Sequence, residues 1–200
     1  MSQEKFHYYM FYKPIGCVTA RRDEKYPTVM DYFKELKNEK LSPVGRLDME
    51  TEGLLLITDD GKWNQEMTNP AYRKEKRYEF YAMGVITSEK KQQLEEGVAV
   101  IGSDKVTAPA KLELTGQTCL KDVLPILPKQ LQQKYVHNRP EHPVTKGVIT
   151  ITEGRKRQIR RMMKAVGCLV IYLKRISMGE FVLDETLKPG EFKEINEIIR

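Results

Sequence analysis

The chain has 200 residues, with 34 Lys+Arg against 28 Asp+Glu for a formal net charge of +6, and is 40% hydrophobic and 31% charged. That much Leu, Ile, Val, Phe and Tyr excludes a disordered chain, and this length builds one domain, or two small subdomains sharing a core, without disulfide staples. The longest apolar runs, residues 53–57 and 168–173, fall far short of a membrane span. Residues 1–6 carry neither an apolar h-region nor a cleavage site, so no secretory signal is expected. Cys17, Cys119 and Cys168 are odd in number and in no C-x-x-C pair, which reads as reduced thiols in a cytoplasmic protein.

Residues 8–12 form an aromatic, apolar strand closed by Lys13-Pro14 and Gly16, and residues 18–20 resume it. Thr28 caps a short helix that reaches Leu36. Residues 43–48 are a loop around Gly45, and residues 53–58 are a short strand apolar enough to be covered on both faces. Asp59-Asp60-Gly61 turns into a helix over 63–67 that stops at Asn69-Pro70. Residues 77–83 alternate, placing Tyr78, Phe80 and Ala82 on one face. A helix over 87–96 closes at Gly97, and residues 98–101 and 110–114 read as short strands. Residues 121–146 are polar and proline-punctuated, a long surface loop with a helical turn or two over 129–135. Residues 148–152 are a strand.

The next segment is the most informative. Gly154 precedes a helix that runs to about Val166 and stops at Gly167. Ile159, Met162, Met163 and Val166 form a core stripe, while Arg157, Arg160, Arg161 and Lys164 form a cationic face one step round. Residues 168–173 return as a strand, residues 180–183 are strand-like, and an acidic-leaning tail follows Pro189-Gly190. Short strands mixed irregularly with helices predict an α+β fold with a largely antiparallel sheet.

Two places carry chemistry. Six cations fall between Arg155 and Lys164 with no acid among them, and a second basic cluster lies between Arg73 and Arg77. Such a face is the electrostatic footprint of nucleic-acid binding, though a solvated helix surface has the same composition. Asp48, Glu50 and Glu52 stand in a loop just before a buried strand, where a sheet holds side chains still. They read as a nuclease metal site, as a single nucleophilic or acid–base carboxylate at Asp48, or as a capping Asp beside exposed glutamates. No His lies near them, and His137 and His142 lack a third ligand. There is no P-loop and no G-x-G-x-x-G, so ATP and NAD have no support. Tyr78 follows the second basic cluster and reads either as a base-stacking ring or as a core tyrosine.

Taken in order, these segments resemble the pseudouridine synthases of the RsuA branch. Gly45-Arg46-Leu47-Asp48-Met49-Glu50-Thr51-Glu52-Gly53-Leu54-Leu55, with Thr58-Asp59-Asp60-Gly61, resembles the family's long and specific active-site motif. Lys76-Arg77-Tyr78 resembles its second motif, and Glu153-Gly154-Arg155-Lys156-Arg157-Gln158-Ile159-Arg160-Arg161-Met162 its third. Tyr12-Lys13-Pro14-Ile15-Gly16, Arg175-Ile176 with Gly179, and Pro189-Gly190-Glu191 extend the match over about residues 8–195.

The resemblance implies a mixed, mainly antiparallel sheet in two ferredoxin-like subdomains around a central RNA-binding cleft. It implies one catalytic domain over residues 5–195, with a loop insertion at 121–147. Asp48 is then the catalytic aspartate, Tyr78 stacks on the target uracil, and Arg160 pairs with Asp48. Arg46, Lys76, Arg155, Lys156, Arg157, Arg161, Lys164 and Arg175 become the RNA-contacting cations. The expected partner of this monomer is ribosomal RNA, with no metal, nucleotide or other cofactor. Residues 13–33 and 59–69 lean toward the small-subunit 16S type over the large-subunit 23S type. Many family members carry an N-terminal S4 domain; this sequence starts almost directly at the catalytic motifs, so a short form without one is expected. A catalytically silent ribosome-assembly factor on the same fold is the alternative, but it has no chemical need of Asp48, Tyr78 and Arg160 together.

Overall fold

A computed structural model describes residues 5–195. The secretory-signal reading over residues 1–6 and the end of the acidic-leaning tail lie partly outside the described residues. The chain divides into two compact units, Met1–Lys74 with Arg175–Arg200, and Glu75–Lys174.

The first unit begins with β1 (Tyr8–Lys13), a 3-10 helix (Val29–Leu36), β2 (Ser42–Val44), β3 (Glu52–Thr58) and α1 (Gly61–Thr68). β1 and β2 both pair antiparallel with β3, which is buried at all seven residues. Its run of Leu and Ile is therefore interior on both faces, as its composition predicts. The alternation of β1 sorts its aromatics. Met10 and Tyr12 join Val44, Leu54, Leu56, Trp63 and Met67 in one core, and Tyr8 packs edge-on to Trp63 at 5.1 Å. Tyr9 and Phe11 meet Phe33 of the 3-10 helix instead. Asp60 starts α1 by accepting from the backbone N–H groups of Lys62 (3.1 Å) and Trp63 (3.0 Å). The helix read at Thr28 forms as 3-10, with the Thr28 N–H donating to Asp31 at 2.7 Å. Residues 43–48 are not loop throughout, because Ser42–Val44 completes the edge of β3. The return over residues 18–20 is reduced to a single bridge, Val18 to Thr28.

The second unit contains β4 (Lys76–Met83), α2 (Ser88–Glu96), β5 (Lys111–Cys119), α3 (Leu120–Val123), α4 (Lys129–Tyr135), β6 (Pro143–Ile151), α5 (Gln158–Ala165) and the start of β7 (Leu169–Met178). Its strands lie in the order β5-β6-β4-β7. Tyr78, Phe80 and Ala82 are buried as the alternation requires, and Tyr78 stands opposite Ile149. Gly147 is needed there: a Cβ would come within 2.5 Å of the Glu113 carbonyl and 2.9 Å of the Phe80 ring.

The predicted 121–147 loop is a correction in part. The helical turns read over 129–135 form as α4, but α3 and a 3-10 turn (Leu124–Ile126) precede it and β6 already begins at Pro143, because Leu120, Val123, Leu127, Leu131 and Tyr135 are apolar enough to bury. Residues 98–101 are not a strand. Thr107 takes both backbone groups of Val98, closing the segment on itself before a sheet edge can use it. The helix predicted after Gly154 starts three residues late, at Gln158, for a reason given below. The chain then returns to the first unit through the end of β7, β8 (Phe181–Val182) and β9 (Phe192–Glu194), which pairs with β1. The whole is an α+β fold with a mostly antiparallel sheet.

Gly53, the second residue of β3, stands at φ +104°, and a Cβ there would lie 2.2 Å from the carbonyl oxygen of Arg175. Neither strain can relax without moving backbone. Gly53→Ala should therefore lower stability by roughly 3 kcal/mol, read as a fall in the urea midpoint at unchanged slope. An unchanged midpoint would show that the Arg175 backbone gives way freely.

Candidate active site

In the first unit Asp48 sits in a turn and is half-buried. Its carbonyl accepts from Thr51 N–H at 3.0 Å, and Gly45, at φ +72°, lets the chain swing into the turn from β2. Thr19 holds the approach from the other side, its hydroxyl donating to the Leu47 carbonyl (2.8 Å) and accepting from the Leu47 N–H (3.1 Å). Gly16 N–H donates to the Met49 carbonyl at 2.9 Å. The aspartate is thus carried by a backbone pinned on both flanks.

Beneath that turn lies Lys13, the last residue of β1, fully buried. Its ammonium donates to the carbonyls of Thr51 and Pro14, each at 2.9 Å. Burial pushes its pKa down to about 8, while the neighbouring Cys17, Asp48 and Glu52 oppose the shift and Arg175 adds to it. Glu52 is itself buried and accepts from the Tyr12 hydroxyl at 3.2 Å. Arg175 is 2% exposed; its Nε donates to the Leu54 carbonyl at 2.7 Å, and its Nη2 is buried with no hydrogen-bond partner among the described residues.

In the second unit Tyr78 is 7% exposed and set by the β4–β6 register. On α5 the stripe of Ile159, Met162, Met163 and Val166 is buried, and Arg160 donates from Nη1 to the Val170 carbonyl at 3.1 Å. The residues before the helix are organised by Glu153. Its carboxylate accepts from Ala108 N–H (2.9 Å), Gln158 Nε2 (2.6 Å) and Arg155 Nε (3.1 Å). Gln158 in turn accepts from Arg155 N–H at 2.9 Å. This side-chain network occupies the backbone that a longer helix would need, so Arg157 takes φ +52° and α5 starts after it.

Residues 7–165 match the family model described as RNA pseudouridylate synthase. The Vibrio cholerae protein named ribosomal small subunit pseudouridine synthase A is 34% identical over 95% of this chain and 71% of its own length. The Bacillus subtilis protein named uncharacterized RNA pseudouridine synthase YtzG is 36% identical over 96% of this chain and 71% of its own. A crystal structure titled pseudouridylate synthase superposes with a TM-score of 0.78 at 32% identity, covering 98% of this chain and 72% of that one. The chain belongs to the RNA pseudouridylate synthase family. It is an RNA-modifying isomerase, and it spans about 71% of the length of those named relatives.

The site residues expected of the synthase fall in separate units. Asp48, Arg46 and Arg175 are in the first; Tyr78, Lys76, Arg160, Arg155, Lys156, Arg157, Arg161 and Lys164 are in the second. Arg46, Lys156, Arg157 and Lys164 are exposed, Lys76 and Arg160 are intermediate, and Arg175 is interior. Arg155 and Arg161 are engaged with the protein's own backbone, as described further below. Asp48, Glu50 and Glu52 do not gather as metal ligands: no group of three such side chains is placed to hold an ion among the described residues. No helix is long and apolar enough to cross a membrane among them either. Sequence reading missed Lys13 as part of the site. The available signal was a lysine terminating an apolar strand directly before Pro14.

Lys13 makes the synthase's stability depend on pH with a definite sign. Folded, its pKa is about 8; its ordinary value is 10.5. Between those values the unfolded chain holds the extra proton, so the cost of burial is full below pH 8 and is relieved as pH rises toward 10.5. The unfolding free energy of the wild type minus that of Lys13→Met should climb by on the order of 3 kcal/mol across that window. Urea titrations at several pH values check this; a flat difference would mean that Lys13 keeps its ordinary affinity for the proton.

Proposed function

We propose that this synthase isomerises a uridine of small-subunit ribosomal RNA to pseudouridine, with Asp48 as the catalytic carboxylate. The observation that carries the reading is the 34% identity, over 95% of the chain, to a protein named ribosomal small subunit pseudouridine synthase A, with a half-buried aspartate held in a pinned turn.

The reaction breaks the N1–C1′ glycosidic bond, rotates the uracil and forms C5–C1′; the proton lost from C5 is balanced by one gained at N1. Nothing is oxidised or reduced. The demands are a carboxylate near C1′, a surface that holds the detached ring, and charge to hold RNA. Breaking the glycosidic bond builds positive charge on the sugar, which a fixed carboxylate stabilises in a site that need not reorganise. Asp48 meets that demand through its rigid backbone. Tyr78 is the ring against which the uracil is held, worth about 1–3 kcal/mol against the few kcal/mol that extruding a nucleotide costs. Arg160, steadied by the Val170 carbonyl, is the guanidinium assigned to the same reaction. Lys76, Arg46, Lys156, Arg157 and Lys164 are assigned to phosphates, which position the RNA without reading it.

Small-subunit rRNA transcript tritiated at uridine C5 provides the assay, because forming the new bond must release that tritium to water. Wild type should release it without added cofactor, and Asp48→Asn should fold, bind RNA and release none. Turnover by Asp48→Asn would place the nucleophile elsewhere. Tyr78→Phe should keep most of the activity and Tyr78→Ala should lose most of it; equal activity in the two would remove the stacking role. Release from large-subunit transcript alone would move the target to the other ribosomal subunit.

The phosphate assignment has its own signature. Lys164→Ala and Lys156→Ala should each flatten the slope of log affinity against log salt by about 0.7 to 0.9. Identical slopes would take that lysine out of the interface.

A further inference from the structure

The strand predicted over residues 98–101 is instead one side of a ten-residue loop, 98–107. Its neck is closed by two bonds, Thr107 N–H to the Val98 carbonyl and Val98 N–H to the Thr107 hydroxyl, each 3.0 Å. Gly97 and Gly102, at φ +106° and +75°, give the bends at its base and tip. A loop whose ends meet in this way is compact without belonging to the sheet.

Its outer backbone is held by arginines from the basic segment. Arg155 donates from Nη1 to the Ser103 hydroxyl (3.2 Å) and the Lys105 carbonyl (2.8 Å), and from Nη2 to the Val106 carbonyl (2.8 Å). Arg161 donates from Nη2 to the Ile101 carbonyl. Charge-assisted bonds of this kind are strong, and here they satisfy the carbonyls of a surface turn. They also fix the direction of two apolar side chains. Ile101 is 85% exposed and Val106 is 60% exposed.

A rigid tip that displays an isoleucine to water costs solvation and gains nothing within the chain. Its surroundings say what would cover it. Lys156 and Arg157 follow Arg155 directly and are exposed, and Lys105 lies on the loop itself; Asp104 is the one acid of the loop. An apolar contact rising from a cationic floor is complementary to a nucleic acid, where an aliphatic side chain covers or wedges beside an unstacked base while phosphates meet the cations.

We propose that the 98–107 loop, fixed to the basic segment by Arg155 and Arg161, is an RNA-contacting element and that Ile101 packs on an unstacked base of the substrate. This rests on the reading of small-subunit rRNA as substrate. It changes the roles of two residues: Arg155 and Arg161 act as positioning residues for the loop, not as phosphate ligands.

The test compares Ile101→Ser, Ile101→Leu and wild type as intact protein, using the tritiated transcript for single-turnover release and a fluorescein-labelled fragment of the same RNA for affinity. Because Ile101 is on the surface, Ile101→Ser should melt at the wild-type temperature. It should release tritium about tenfold more slowly or bind about tenfold more weakly. The salt slope should stay unchanged, since no charge is removed. Ile101→Leu should behave as wild type. Rate and affinity both unchanged in Ile101→Ser would overturn the proposal. So would a wild-type dimer that Ile101→Ser dissociates in sedimentation, which would assign the tip to a second copy. The two readings fail separately. Wild type that binds RNA but releases no tritium defeats the proposed function, while the affinity ratio still decides for or against the loop. Wild type that binds no RNA defeats both.

Discussion

A primary ammonium in a dry interior must find acceptors, and Lys13 finds them in the carbonyls of Pro14 and Thr51. That requirement ties the end of β1 to the last residue of the Asp48 turn, Thr51, whose own N–H closes the turn onto Asp48. The lysine also neutralises a neighbourhood that would otherwise be costly. Glu52 is 5% exposed and Asp48 is half-buried, so an apolar residue at position 13 would leave interior carboxylate charge with less compensation. The depressed pKa of Lys13 shows that burial outweighs the attraction of these acids, so the cation costs stability. What it secures is the position of the Asp48 turn: a carboxylate proposed for catalysis gains more from a held backbone than from a strong single contact.

The second unit solves the same problem with a half-buried carboxylate network in place of a cation. Glu153 gathers Ala108, Arg155 and Gln158, and through them it decides where α5 begins. Had the helix started directly after Gly154, the backbone N–H groups of its first turn would have needed other partners. Because it starts at Gln158, Arg157 becomes the residue before the helix and Arg160 falls in the first turn, where its side chain reaches back over β7 to the Val170 carbonyl. The short helix and the fixed guanidinium are one consequence of the same hydrogen bonds.

Much of this was readable from residue order. The alternation of β4 and the Ile/Met stripe of α5 each permit only one buried face, and the unbroken apolar run of β3 requires both faces covered. The Asp48 motif was recognisable because it is long and specific, and the short Lys76-Arg77-Tyr78 motif by its order after it. The errors share a cause. Residues 98–101, the start of α5 and the 121–147 segment are all places where side chains compete with the backbone ladder or supply burial at long range. Thr107 captures Val98 from nine positions away, and Gln158 and Glu153 capture the backbone at Arg155 and Ala108. Local propensity carries no record of such partners. Lys13 escaped for a related reason: a terminal lysine of a strand looks solvated until the fold places Thr51 over it.

The basic segment shows why composition alone could not divide structure from function. Six cations stand between Arg155 and Lys164, and charge treats them alike. Geometry does not. Arg155 spends its guanidinium on Glu153, Ser103, Lys105 and Val106, and Arg161 turns to Ile101. A planar fork with several fixed donors suits such work, whereas the exposed Lys156 and Lys164 present compact point charges suited to a mobile phosphate. The segment therefore does two jobs with two chemistries. Arg155 and Arg161 tie down the 98–107 loop, and the exposed Lys156, Arg157 and Lys164 give the segment an attraction for polyanions. Placing both in one stretch of chain puts the exposed cations within a few residues of the arginines that hold the loop.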